Sequence, residues 1–170
     1  MKANNSSRKF LPFAVEATWI TSNWGKLNEY LQQLSRLGRG EFNIEIGLAL
    51  NAFRQGKYTE FWEHIEALRL SVAKSLTANS VVSLQSCHDS ILKLHTLHEV
   101  ESIARAKFED SESNDSRTKL PDILDRRLDI LGGYISDKQY LLGLRRATME
   151  LTYVAFALFM NFSSRMLIEP

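Results

Sequence analysis

"WITSNWGKLNEYLQQL" (residues 19–34) can be laid over "FRQGKYTEFWEHIEAL" (residues 53–68) with a shift of 34. Trp19 then falls on Phe53, Trp24 on Tyr58, Leu27 on Phe61, Leu31 on Ile65 and Leu34 on Leu68. Every matched position is large and apolar. From Trp24 onward they lie three or four residues apart, which is the spacing of one face of an α-helix. A period of 34 is that of tetratricopeptide-type helix–turn–helix units. "WGKLNEYL" carries the W-x-x-L-x-x-Y beat of such a unit, and "FRQGKYTEF" reads as the turn between two of its helices. One helix pair cannot bury its own apolar stripe, so pairs must stack into a shared core. A further shift of 34 puts His95 and Glu99 under Phe61 and Ile65, so the repeat degrades along the chain. The expected fold is all-α, an irregular α-solenoid of antiparallel helix pairs.

The rest of the chain fits that class. Three prolines and eight glycines punctuate 170 residues, and strand-like alternation is nearly absent. Helical spacing predicts helices over 11–21, with Pro12 near the first turn, and over 24–37, 42–55, 59–76 and 80–108. Gly56 is the expected stop of the third. "EDSESNDSRT" (109–118) has no apolar residue and reads as a flexible surface loop. Pro121 is expected to open a sixth helix that Gly132–Gly133 closes. Ser136 and Gln139 have capping-box spacing, which starts a seventh helix there. Residues 1–9 read as a disordered polar tail.

Composition narrows the function. Lys plus Arg number 21 and Asp plus Glu 20, so a net charge of +1 gives no global attraction to nucleic acid or anionic lipid. The single cysteine, Cys87, allows no intrachain disulfide. The polar start "MKANNSSRKF" has no apolar signal core, and the run "YVAFALFM" falls well short of the roughly 20 residues that span a bilayer. Phosphate-loop, dinucleotide, kinase and nucleophile-elbow motifs are all missing from the sequence. No cofactor, catalytic residue or metal ligand is therefore assigned. The strongest metal candidates are Cys87, His88, His95, His98 and Glu99 in "CHDSILKLHTLHEVE". His95 and His98 share a helix face, but a structural zinc needs further ligands from elsewhere and no second cysteine exists. The plainer reading is partly buried histidines beside Leu84, Ile91 and Leu94.

"LDRRLDILGGYISDKQYLLGLRRAT" (124–148) sets Arg126–Arg127 and Arg145–Arg146 on either side of the glycine pair. Adjacent arginines on a helix point in different directions, so at most one of each pair can face a shared site. Two readings stay open. In one, the four arginines form an interaction patch for a partner or an anion. In the other, they lie solvated on the flank of a hairpin, paired with carboxylates such as Asp125, Asp129 or Glu150. Leu124, Leu128 and Leu131 are expected to face Leu141, Leu144 and Leu151 across that hairpin.

Four stretches together, "LPFAVEATWITSNWGKLNEYL", "EHIEALRLSVAKSLTANS", "LKLHTLHEVESI" and "ILDRRLDILGGYISDKQYLLGLRRATMEL", resemble the FAT domain of ATR-type checkpoint kinases, of a fungal kind, in the phosphatidylinositol-3-kinase-related kinase family. The resemblance covers residues 10–152. It implies a non-catalytic helical collar around a Ser/Thr kinase domain, a coiled-coil partner subunit and a dimer. It also implies nuclear work in DNA-damage and replication checkpoint signalling, with no direct nucleic-acid or membrane contact. Kinase elements are lacking here, so no activity is expected of this chain alone. Residues 153–170 read as a divergent apolar tail, as from a truncated reading frame. The competing reading is a free-standing tetratricopeptide-like adaptor.

Overall fold

The computed structural model describes residues 3–34, 40–79, 84–108, 114–131 and 133–166. Seven helices run through them: α1 (Ala3–Ile20), α2 (Trp24–Gln33), α3 (Phe42–Arg54), α4 (Tyr58–Asn79), α5 (Leu84–Phe108), α6 (Asn114–Ile130) and α7 (Ile135–Met166). No strand occurs among the described residues, so the all-α class holds. The chain divides into two compact units, Met1–His98 and Glu99–Pro170, and α5 contributes to both.

The first unit holds the repeat. Leu27, Leu31 and Leu34 are buried, as are Phe61, Ile65 and Leu68 at the same positions one period later, while Trp24 and Tyr58 are both half-buried. Trp19 and Phe53 are buried together with them. The turns agree bond by bond. Thr21 N–H donates to the Ala17 carbonyl at 3.1 Å and Gln55 to Asn51 at 3.0 Å; Asn23 donates to Thr18 at 2.8 Å and Lys57 to Ala52 at 3.0 Å. Leu27 to Asn23 and Phe61 to Lys57 are both 3.0 Å. Each pair of bonds is separated by 34 residues, so the spacing of apolar side chains reflects a repeated backbone.

One residue of that turn carries strain. Ser22 sits at φ 56°, and its counterpart Gly56 sits at φ 75°. The left-handed region is unfavourable for a residue with a Cβ and free for glycine. Ser22→Gly is therefore expected to stabilise the first unit by about 0.5–1 kcal/mol, after the extra freedom of the unfolded glycine is counted. Urea unfolding followed by tryptophan fluorescence reads this, because Trp19, Trp24 and Trp62 all belong to this unit. A lower midpoint would contradict it.

Stacking is achieved through α3, which packs on α1, α2 and α4. Gly47 makes the approach possible: a Cβ there would lie 2.7 Å from Val15 Cγ1 and 3.4 Å from Leu27 Cδ1. Against α4, Phe53 and Phe61 meet edge to face with centroids 4.9 Å apart. Asn23 caps α2 by accepting from the Lys26 N–H at 3.2 Å. Glu45 holds the entry to α3, accepting from the Gly40 N–H at 3.3 Å and lying 3.5 Å from His64 Nδ1 on α4.

Glu16 on α1 stands where the repeat places the fully buried Leu50 on α3. Its carboxylate accepts from Asn43 Nδ2 at 2.7 Å, and burial pushes its pKa above the ordinary carboxylate value. The folded state then holds the proton more tightly than the unfolded state. Its contribution to stability is fully present below the ordinary value and is lost as pH rises through the raised one. Glu16→Gln is expected to flatten stability over that window and to leave the protein at least as stable at neutral pH. Parallel pH dependences in parent and variant would contradict this.

The second unit buries Val100, Ile103 and Ala104 of α5, Leu124 of α6, and Leu141, Leu144, Ala147 and Leu151 of α7. Leu128 and Leu131 are half-buried. The turn between α6 and α7 is closed by the Tyr134 N–H on the Leu131 carbonyl at 3.4 Å.

Several boundaries differ from the sequence reading. α1 begins at Ala3, so residues 3–9 carry helical backbone where a tail was expected, and α6 begins at Asn114 rather than at Pro121. Both Pro12 and Pro121 lie inside their helices. Proline's fixed φ suits a helix, and its cost falls on the turn before it; no glycine in 3–11 or 114–120 breaks the chain there. Of the expected loop 109–118, residues 109–113 lie outside the described residues. Ser136 does not cap α7. The helix starts one residue earlier, with Lys138 N–H on the Tyr134 carbonyl at 3.1 Å, and the Ser136 hydroxyl turns to Asp137.

Candidate functional site

The arginine pairs all belong to the second unit. Arg126 and Arg146 are exposed and Arg127 is half-buried. Arg145 is only 9% exposed and points inward from α7. Helix geometry explains the split, since consecutive residues diverge by about 100°. Arg145 continues the buried face of Leu141, Leu144 and Thr148, while Arg146 faces away.

The Arg145 guanidinium closes a buried network. Its Nε donates to Glu99 Oε2 at 2.9 Å and its Nη2 to Glu99 Oε1 at 3.0 Å, a bidentate pair on a carboxylate that is 1% exposed. Nη2 also donates to the Leu124 carbonyl at 2.7 Å, and Nη1 lies 3.5 Å from the exposed carboxylate of Asp125. One side chain on α7 thus ties α5 and α6. The planar fork matches both carboxylate oxygens, and the third contact uses remaining donor capacity. A free anion would have to displace Glu99 to take the Nε and Nη2 edge of this guanidinium. The network differs from the expectation of four arginines on an exposed flank in that Arg145 lies inside the unit, paired with a carboxylate of another helix, whereas Arg126 and Arg146 are exposed.

Sequence reasoning named Asp125 as a partner and missed Glu99, which it weighed only as a metal candidate. The available signal was its place in "LHEVESI" between Leu97, Val100 and Ile103. A carboxylate on so apolar a face needs a cation.

On α5, Cys87, His88 and His95 are half-buried and His98 is exposed. No group of three or more His, Cys, Asp or Glu side chains among the described residues is placed to hold a metal. Leu84 and Ile91, expected as apolar neighbours of the histidines, are themselves exposed, because the helix turns Thr96, Leu97 and Val100 inward instead. Among the described residues no helix is long and apolar enough to cross a membrane.

The first unit is thus built of stacked helix pairs, and the buried polar cluster of the second unit is an internal tie. The family model described as "FAT domain" matches residues 11–164. The chain belongs to the FAT-domain family. No curated protein and no solved structure matches it. FAT domains are non-catalytic helical regions found in phosphatidylinositol-3-kinase-related kinases, and they serve as protein–protein scaffolds. The FAT match runs past Thr152, where the resemblance had been read to end, so most of the stretch set apart as a divergent tail belongs to the matched region. Along that stretch α7 continues unbroken to Met166.

Proposed function

We propose that this FAT domain is the scaffold segment of an ATR-like Ser/Thr protein kinase that acts in DNA-damage and replication checkpoint signalling in the nucleus. The observation that carries the reading is a family match across nearly the whole chain, on a fold whose conspicuous polar cluster, Glu99 with Arg145, is spent on holding helices together. A collar that positions a kinase domain needs rigid helices and protein-facing surfaces, and no catalytic group of its own. Partners are then proteins: the kinase domain in the same polypeptide, a partner subunit and a second copy. The test is an antibody against residues 11–164, used on cells with stalled replication. A large nuclear polypeptide that precipitates with Ser/Thr kinase activity is expected. A species near 19.5 kDa without kinase activity would favour the free-standing adaptor instead.

A further inference from the structure

On α3 the face that stacks on the preceding helix pair is set by Ile44, Gly47 and Asn51, all buried. One period earlier the same positions are Phe10, Phe13 and Ala17 on α1, and all three are exposed, the phenylalanines by 68% and 67%. The turn hydrogen bonds, the positive φ and the burial of Trp19, Leu27, Leu31 and Leu34 all carry over by 34 residues. The outer face of α1 is therefore the continuation of an interface this protein already makes. Two exposed phenylalanines one turn apart give this face the apolar character of a packing surface.

We infer that this face docks a further antiparallel helix pair of the same 34-residue type, one that carries small residues where this chain has Val15 and Leu27. The register fixes what meets Phe13, because its counterpart Gly47 lies against Val15, Leu27 and Leu31. There glycine on one side leaves room for valine and leucine on the other. With phenylalanine in place of glycine the volumes must be exchanged for the interface to reach interior density. An unaltered copy of the first pair does not fit, since even a Cβ at the glycine position would be 2.7 Å from the valine. A pair with glycine or alanine at the two positions leaves a pocket for the Phe13 ring.

The test extends the full chain. Residues 1–6 are replaced by a copy of residues 7–40, joined in register to Ser7, and urea unfolding is followed by circular dichroism. With Val15→Gly and Leu27→Ala in the copy, the added pair is expected to dock, raising the midpoint above that of the parent and steepening the denaturant dependence. Phe10→Asp with Phe13→Asp in the host should abolish that gain while leaving the unextended parent unchanged. Because the two small residues weaken the copy's own core, a second arm keeps the copy unaltered and changes the host by Phe13→Gly; this also should dock, and the unaltered copy over Phe13 should not. The inference is overturned by an unaltered copy that docks on Phe13 as well as either size-exchanged arrangement, or by failure of both exchanged arrangements. It is equally overturned if the Asp substitutions destabilise the unextended parent, or if the parent self-associates through Phe10 and Phe13, which would make a second copy the occupant.

Discussion

Replacing Arg145 with alanine is expected to destabilise the second unit by about 3–5 kcal/mol, because it leaves the Glu99 carboxylate buried without its cation. The loss includes the hydrogen bond to the Leu124 carbonyl, so α6 loosens along with α7. Total stabilities of about 5–15 kcal/mol make this a large fraction of what holds such a unit together. Arg146→Ala, one residue on and exposed, should change stability by less than about 1 kcal/mol. Amide hydrogen exchange over residues 99–108, 120–131 and 133–152 reads the effect in the unit concerned. Equal protection in the two variants would mean that the buried pair contributes nothing and that the helices are held by apolar packing alone.

Gly47→Val should damage the first unit strongly, at about 3 kcal/mol. Its Cβ already meets Val15 Cγ1 at 2.7 Å, and the branches would drive into Leu27 and Leu31 as well. The helix propensity gained on exchanging glycine for β-branched valine, roughly a few tenths of a kcal/mol, is too small to offset this. Exchanging the volumes, with Val15→Gly beside Gly47→Val, should recover part of the loss. The cycle formed by the parent, the two single variants and the double variant should show a favourable coupling of about 0.5–3 kcal/mol. Simple additivity would mean that α3 does not sit against α1 and α2 at this residue. The tryptophans of the first unit again supply the signal.

The two predictions differ in how far their causes could be read from the sequence. The stacking could be, because a repeat places large apolar side chains at recurring backbone positions. The register of Trp24, Leu27, Leu31 and Leu34 with Tyr58, Phe61, Ile65 and Leu68 is visible in the sequence alone. Gly47 was not singled out, since a glycine that lets two helices approach looks in sequence like any helical glycine. The ion pair was half legible. That Arg145 and Arg146 must diverge follows from helix geometry, but which of them turns inward depends on packing 46 residues away at Glu99. The helix starts expected at Leu11 and Pro121 lie later than the observed ones for a local reason. Proline is common in a first turn, but polar residues without glycine let a helix begin earlier.

The position of Phe10 and Phe13 shows a further limit. Their spacing marks a helix face at once, yet only the superposed repeats show that the face corresponds to one that α3 buries. What the chain reveals most readily is the repeat itself. Its polar residues then divide between those that join helices, such as Glu45, Asn43 and Arg145, and those that meet solvent.

The central claim is that this FAT domain works by holding its shape, with Glu99 and Arg145 as ties rather than as a recognition site. The most direct test replaces the pair by apolar residues of similar volume, Glu99→Leu with Arg145→Met, in the full-length protein. Such exchanges of buried ion pairs are often neutral or stabilising by about 1–4 kcal/mol. On the function proposed above, the measurement is kinase activity co-precipitated with the protein under replication stress. The account predicts activity equal to that of the parent, because the helices remain joined. Loss of that activity in a double variant with an intact helical fold would show that the arginine itself is recognised, and would contradict the scaffold reading.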